Sequence, residues 1–512
     1  MHDQRWRLGR TTGVLLLAGA GLFTSVFAED VLHAPRIWTD SALADWATPV
    51  AGLNVRPKHY SEAEYYSIAP DNYRTYPFYP VDREPPGYWE WLQQQKPEPL
   101  LDPKAPRTRA EWIAAGEHAF AEMDAFLVRQ SDPSVIARAR SPEAFRGVRL
   151  TPDGAFRQLR WVVTPAGVQL TAPACSACHR ATQPDQSTAT EAEGGPLEQR
   201  RNPPLTGAGA TTNRLRAFYA GDSLAVALWR EFTVPWAPDE RIERLKDTPA
   251  SELQSVRSAA GLNRSFQGGV FARANGSPYY VTKIPDLRNL RSSRYLDATA
   301  THQLRGPEDI ARYAALVTGA DRMDFGPHQI LTDEQRRLRF RYADETLYAI
   351  GLYLMSLEPL KNPNPQPIEL TTRGRAIFER EKCTTCHPAP HYTTGKLTIA
   401  AGWKLPVDHP YRADILARSI GTDPGAALKT RKGTGLYKIP SLRGVWARRR
   451  LLHDGSLSSL EELFDPARLR PDYAPSGWSP PGVTIRAVPG HKIGLQLTAE
   501  DKAALIAFLR SL

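Results

Sequence analysis

The sequence predicts a mainly α fold: two related helical units behind an N-terminal arm rich in proline and aromatic residues. Three observations carry this. Amphipathic helical stretches close the two halves of the chain, at 344–359 and 498–512, with apolar residues recurring at i, i+3, i+4 and i+7. A shared phrase stands ahead of each, "KIPDLRNLRSSRYLD" from Lys283 and "KIPSLRGVWARRRLLHD" from Lys438, as expected of a duplication. Between the halves lies the proline-dense run "SLEPLKNPNPQPIEL", which sustains neither helix nor sheet.

The elements follow in order. "MHDQRWRLGR" supplies three arginines, "TTGVLLLAGAGLFTSVF" an apolar run, and Val26-Phe27-Ala28 a small-residue cleavage site before Glu29. That layout predicts a cleavable signal peptide over 1–28 and an exported, periplasmic chain. The apolar run is shorter than the roughly 20 residues of a membrane span, and no second stretch of that length follows. From 29 to 106, prolines keep regular elements short. Dense Tyr and Trp there predict an arm packed over the main body. The first unit, 107–360, opens with helical "TRAEWIAAGEHAFAEMDAFLVRQ" and continues with "RQLRWVVTPAGVQLTAPA", which alternates like a hairpin. A polar surface loop, "RATQPDQSTATEAEGGPLEQRRNPP", belongs to a long insertion with a few short strands. A stiff linker at 361–369 leads to the second unit, 370–512, which opens with "TTRGRAIFEREKCTTCH". Within it Asp454-Gly455 predicts a turn, and Ser458 with Glu461 a capping box for a short helix ending before Pro466.

Charge narrows the partners. The chain holds 65 basic and 55 acidic residues; without Met1 to Ala28, which carry three Arg and one Asp, the balance is 62 to 54, or +8. A modestly basic exported protein suits an acidic redox partner or simple solubility. No basic stripe interleaved with aromatics argues for nucleic acid.

The four cysteines carry the chemistry. Cys175 and Cys178 precede His179 in "APACSACHRAT", and Cys383 and Cys386 precede His387 in "EKCTTCHPAP". Every cysteine thus belongs to a C-x-x-C-H pentad, and with 12 His in 512 residues a chance His after both pairs has odds of roughly one in two thousand. A thioredoxin-type pair does not need those histidines, and no βαβ pattern surrounds either pair. A zinc ribbon needs the pairs close together, whereas they lie 208 residues apart. Covalent haem accounts for all the positions. Two thiols one helical turn apart form thioethers with the two vinyl groups, and the adjacent His meets the iron from the proximal side. The sequence therefore predicts two c-type haems, and each unit's order of opening helix, pentad, loop and closing helix is that of a small helical cytochrome c domain.

The two pentads together with "KIPSLRGVWARRRLLHDGSLSSLEELFDP" resemble the di-haem cytochrome c peroxidase and MauG superfamily and, more loosely, the bacterial rubber-oxygenase branch of di-haem c-type cytochromes. The likeness is clear across about 370–512 and thinner across 105–360. It implies an oxidoreductase in which haem 1 binds peroxide or dioxygen and haem 2 delivers electrons from a donor such as a small cytochrome or cupredoxin-like protein. The alternative is a non-catalytic electron carrier with two six-coordinate haems.

The iron's other face decides between these. No Met follows the second pentad, a departure from the many di-haem peroxidases that ligate haem 2 with one. His491, in "VPGHKIGLQLTAEDK" just ahead of the closing helix, stands where small cytochromes place a sixth ligand, and a late histidine ligand also fits the rubber-oxygenase likeness. Tyr473 is the candidate by likeness to MauG, and His453 is either a turn histidine or a ligand. For haem 1 the candidates are an open site, His302, His328 or Met323, with His302 also a candidate catalytic acid or base. His118 on the opening helix and His33 and His59 on the arm read as structural. The resemblance further implies an aromatic relay between haems; Trp229, Trp236 and Trp446 are candidates, each equally readable as core.

Overall fold

Each half of the chain is organised around one helix pair. The computed structural model describes residues 33–512 apart from 106, 147–149, 180, 183–187, 190–218, 250, 253–276, 278, 417 and 481. The predicted signal peptide, most of the polar loop after Cys178 and the side chain of Cys178 itself lie outside the described residues. In the first half, helix Arg109–Glu122 packs against helix Asp344–Ser356; in the second, Ile368–Arg380 packs against Ala499–Arg510. The first opening helix starts at a capping box between Thr108 and Glu111, and the last helix at Thr498, whose side chain accepts from the Asp501 N–H. The second opening helix begins at Ile368, inside the predicted linker, because Pro367 tolerates the N-cap position and leaves the following turn free to coil.

The two pairs touch in the same way. A Cβ on Gly116 would stand 2.0 Å from the Ala349 carbonyl oxygen and 2.7 Å from the Tyr353 Cβ. On Gly374 it would stand 2.0 Å from the Ala504 oxygen and 2.7 Å from the Phe508 Cβ. Only a residue without a side chain permits helices this close. The shared phrases match as well. Each forms a single 3₁₀ turn, Leu290–Ser292 and Val445–Ala447, and each then places one residue at positive φ, Asp297 at 59° and Leu452 at 63°.

The arm does more than lie over the body. Ile37, Trp38, Trp46, Tyr60 and Tyr65 share one buried core with Trp112, Phe120, Leu347 and Leu352 of the first helix pair. Trp38 stacks on Tyr65 with ring centroids 4.7 Å apart. Strand Thr75–Pro77 from the arm pairs antiparallel with Arg160–Thr164, which pairs in turn with Gly167–Thr171, so the predicted hairpin gains a third strand. In the second half, Leu397–Ile399 lies between Ile415–Leu416, parallel, and Leu436–Lys438, antiparallel. A short helix follows Gly455, but over Leu460–Leu463 and capped by Ser459; Glu462 reaches back to the Ser458 N–H at 2.9 Å, so the capping lies one residue beyond the predicted Ser458 and Glu461.

The halves join crosswise. The Lys283 N–H donates to the His453 carbonyl at 2.8 Å, and the Lys438 N–H to the Ala298 carbonyl at 3.0 Å. Each shared phrase is thus sewn to the opposite half. No helix among the described residues is long and apolar enough to cross a membrane.

Candidate functional site

One cavity of about 660 Å³ runs along this seam, and both pentads open onto it. Cys175 and His179 line one part, and Cys383, Cys386 and His387 line another. Its walls are mostly apolar: Phe120, Ile350 and Leu354 from the first helix pair, and Phe378, Leu505 and Leu509 from the second. The repeated phrases contribute symmetrically, with Lys283, Ile284, Pro285 and Leu287 from one and Lys438, Ile439, Pro440 and Leu442 from the other.

The first pentad sits where the hairpin returns to the opening helix. The Ala174 N–H donates to the Met123 carbonyl at 2.7 Å and the Ser176 hydroxyl to the Ala121 carbonyl at 3.0 Å, which fixes the turn Ser176–His179 against the helix end. The His179 ring lies 6.4 Å from Phe120. In the second pentad, the Cys383–Thr385 turn follows Lys382 in left-handed backbone at φ 59°, and the His387 N–H closes on the Cys383 carbonyl at 2.8 Å.

His387 is buried, and its Nδ1 lies 3.0 Å from the Tyr392 carbonyl oxygen. A carbonyl only accepts, so Nδ1 carries the proton and Nε2 keeps its lone pair, the tautomer an iron ligand requires. Burial lowers its pKa to about 4 against the opposing carbonyls, so the ring is neutral at physiological pH. Cys383 and Cys386 are not bridged, and burial raises both, Cys383 to about 11. A reactive C-x-x-C thiol is shifted the other way. Nor do three His, Cys, Asp or Glu side chains converge on a metal-ion site among the described residues.

Of the late candidates, His491 is the one held over the cavity. It lines the wall, sits in left-handed backbone at φ 47°, and has a buried Nδ1 with no hydrogen-bond partner among the described residues. Its charged form is disfavoured first by burial and then by Arg468, and it also repels the charged form of His387. Arg468 anchors the loop, donating to the carbonyls of Val488 at 2.6 Å, Gly490 at 2.9 Å and His491 at 2.8 Å. His453 also lines the cavity with an orphaned Nδ1, tilted on Tyr437 at 4.7 Å. Tyr473 does not: its hydroxyl donates to Glu462 at 2.6 Å, outside the cavity wall. An imidazole nitrogen left unsatisfied in an apolar cavity is costly unless a ligand completes it. These features fit a haem.

On the first pentad's side none of the three predicted residues lines the cavity. Met323 is core, its sulfur 3.8 Å from the Tyr219 hydroxyl and from Arg431. His328 lies on a surface strand against Trp236. His302 is buried beneath the arm, 4.2 Å from the Trp46 ring and 5.6 Å from His59. The arm covers it, and Ala47 forms a β-bridge with it. It nevertheless connects to the cavity. His302 Nδ1 lies 3.0 Å from Thr301 Oγ1, which donates to Asp297 Oδ2 at 2.9 Å. The Tyr313 hydroxyl donates to the same carboxylate oxygen, and Lys432 Nζ donates to it at 3.0 Å and to Tyr313 Oη at 2.9 Å. Tyr313, Asp297 and Lys432 line the cavity. Burial opposes ionisation of Asp297, but Lys432, Tyr313 and Thr301 outweigh it and hold the carboxyl well below its usual range. Burial, then Asp297, raises Tyr313 well above the ordinary phenol range, so it keeps its proton.

Tyr313 was not singled out from the sequence. Its signal was the spacing Ile310, Tyr313, Ala314, Val317, one face of helix Pro307–Ala315 and the π-type turn Leu316–Ala320 that follows, and all four line the cavity. The relay candidates lie elsewhere. Trp229 donates to Glu243, Trp446 donates to the Leu360 carbonyl at 3.0 Å, and Trp236 packs on Phe325; none of them lines the cavity.

Comparison with known proteins gives structural neighbours only. The chain matches no known family profile and no curated protein. Similar solved structures include hydrazine synthase of Kuenenia stuttgartiensis, 14% identical over 57% of this chain and 88% of that one, with a TM-score of 0.29. They also include the diheme peroxidase BthA of Burkholderia thailandensis, 17% identical over 45% of this chain and 71% of that one, with a TM-score of 0.25. A MauG-like protein associated with microbial copper homeostasis is 19% identical over 36% of this chain and 62% of that one, with a TM-score of 0.21. At these values none superposes on the chain as a whole.

Proposed function

We propose that the protein is an exported di-haem c-type oxidoreductase of the peroxidase or oxygenase kind. One haem is tethered by Cys175 and Cys178 with His179 proximal, and the other by Cys383 and Cys386 with His387 proximal and His491 as sixth ligand. The observation that carries this reading is the seam cavity, onto which thiols and histidines of both pentads open together with the orphaned imidazole of His491. A haem supplies either an open iron for peroxide or dioxygen or a six-coordinate iron for electron passage.

The chain's own residues divide that labour. His387 and His491 stand on the second site, two neutral imidazoles suited to electron transfer. Beside the first, none of His302, His328 and Met323 lines the cavity, whereas Tyr313 does, and we assign it as the proton donor facing it. Asp297 and Lys432 hold the phenol, and Thr301 ties Asp297 in turn to His302. His302 thereby positions Asp297 through Thr301 and makes no contact with the cavity. A small cytochrome or cupredoxin-like protein would supply electrons in the periplasm.

The optical and EPR spectra of the purified oxidised protein test this. A high-spin signal that shifts with peroxide or cyanide, beside a low-spin one that does not, is expected. Two indifferent low-spin haems would leave an electron carrier. A second haem whose spectrum survives His491→Ala would remove that ligand.

A further inference from the structure

Two imidazole nitrogens beneath the arm are buried without a partner. His302 of the first unit and His59 of the arm have ring centroids 5.6 Å apart. The Nε2 of each is buried and has no hydrogen-bond partner among the described residues. Thr301 Oγ1 gives its proton to Asp297 Oδ2, so it accepts from His302 Nδ1 and leaves His302 Nε2 a lone pair. Burial keeps both rings neutral: the His59 pKa falls to about 4, and His302 is lowered by burial first and then by His59.

The surroundings are aromatic. The Trp46 ring lies 4.2 Å from His302 and 5.3 Å from His59, and Trp38 lies 6.0 Å from His59. Their indole N–H groups are already engaged, Trp46 with the Gln303 carbonyl at 3.1 Å and Trp38 with the Tyr60 carbonyl at 2.9 Å. Arg312, 5.9 Å from the Trp46 ring, is neutralised by Asp309 at 2.5 Å. Unsatisfied nitrogens in such a box are costly unless a ligand completes them. Neither histidine lines the seam cavity, so the group read in that cavity is not their ligand.

We propose that His302 Nε2 and His59 Nε2 bind one copper(I) ion between the arm and the first unit. Metal–nitrogen bonds of about 2 Å place the centroids of two imidazoles on one ion at most about 6 Å apart. The observed 5.6 Å lies inside that reach. The donor set selects the metal. Zinc takes four ligands, and calcium or magnesium takes oxygens, whereas no third His, Cys, Asp or Glu converges here among the described residues. Imidazole suits copper, and copper(I) is satisfied by two such ligands. The indole faces beside it favour a single positive charge. Thr301 and Asp297 behind His302 are the hydrogen-bonded support that orients a ligating imidazole. The ion clamps the arm to His302, whose ring stands 5.6 Å from that of Tyr313.

The test supplies copper(I) with ascorbate, without oxygen, to the purified full chain. Loosely held metal is removed on a chelating resin, and copper per chain is counted by mass spectrometry. One copper per chain is expected, with an X-ray absorption spectrum of two imidazole nitrogens and no oxygen or sulfur shell. His59→Phe and His302→Phe should each lower the retained copper at least tenfold while circular dichroism stays native. His59→Met, one soft ligand for another, should retain it. A chain that keeps no copper, full retention in both phenylalanine variants, or oxygen- or sulfur-rich coordination would overturn the proposal. If His302→Phe fails to fold, His59→Phe and His59→Met decide, and equal copper in both overturns it. Haem is counted separately, so a chain holding haem without copper sinks this proposal alone.

Discussion

Gly374→Ala should destabilise the second helix pair, although propensity alone argues the reverse. In an isolated helix the exchange gains about 1 kcal/mol. Here the added Cβ would lie 2.0 Å from the Ala504 carbonyl oxygen and 2.7 Å from the Phe508 Cβ. A carbon–oxygen contact needs a little over 3 Å, so the helices must part by roughly 1 Å along a buried interface packed at crystal density. Overpacking of this sort costs about 1–3 kcal/mol, and the upper part of that range applies because the obstacle is backbone and cannot rotate away. The net expectation is a loss of about 2 kcal/mol. A thermal midpoint for the haem-loaded protein, followed by circular dichroism in the haem band, should fall by about 2 °C or more. Gly116→Ala should behave alike, since its Cβ would meet Ala349 at the same 2.0 Å. A raised midpoint in either variant would refute the close-contact reasoning and leave propensity as the ruling effect.

Arg468→Met should cost about 3 kcal/mol by stranding the carbonyls of Leu463, Val488, Gly490 and His491, and the low-spin signal of the second haem should become heterogeneous by EPR. Tyr313→Phe should slow reaction with peroxide by about a hundredfold in stopped flow, while the resting spectrum stays native. Acid should destabilise the arm. His59 is held neutral by burial, its pKa lowered from 6.5 to about 4. The unfolded chain therefore binds a proton that the native one refuses, and stability is full above pH 6.5 and lost as pH falls toward 4. Denaturant titrations across that window should show a shallower slope in His59→Phe.

The pentads, the hairpin and both closing helices were legible because each is a local pattern: fixed spacing, alternation or a helical stripe. The matched glycines were visible as letters, but their role depends on a partner helix hundreds of residues away. The same distance explains His302. Its position in the phrase suggested a place over the first haem site, yet Trp46 and His59 of the arm bury it, and Ala47 bridges to it across the chain. Tyr473 looked available until Glu462, held by its own loop, took the hydroxyl. Tyr313 was hidden by its surroundings in sequence, one phenol within an apolar helix face. Long-range burial decides such cases, and a short motif carries no record of it.

The crossed hydrogen bonds at the seam bear on how the molecule is made. While the chain emerges from its N-terminus, the stretch from Lys283 to Ala298 has no wall to close against until His453 and Lys438 have followed. Until they arrive, the wall of the seam cavity is incomplete. Closure then depends on the last part of the chain to arrive. Neither half encloses its part of the cavity alone, because each supplies a carbonyl to which the other's phrase is bonded.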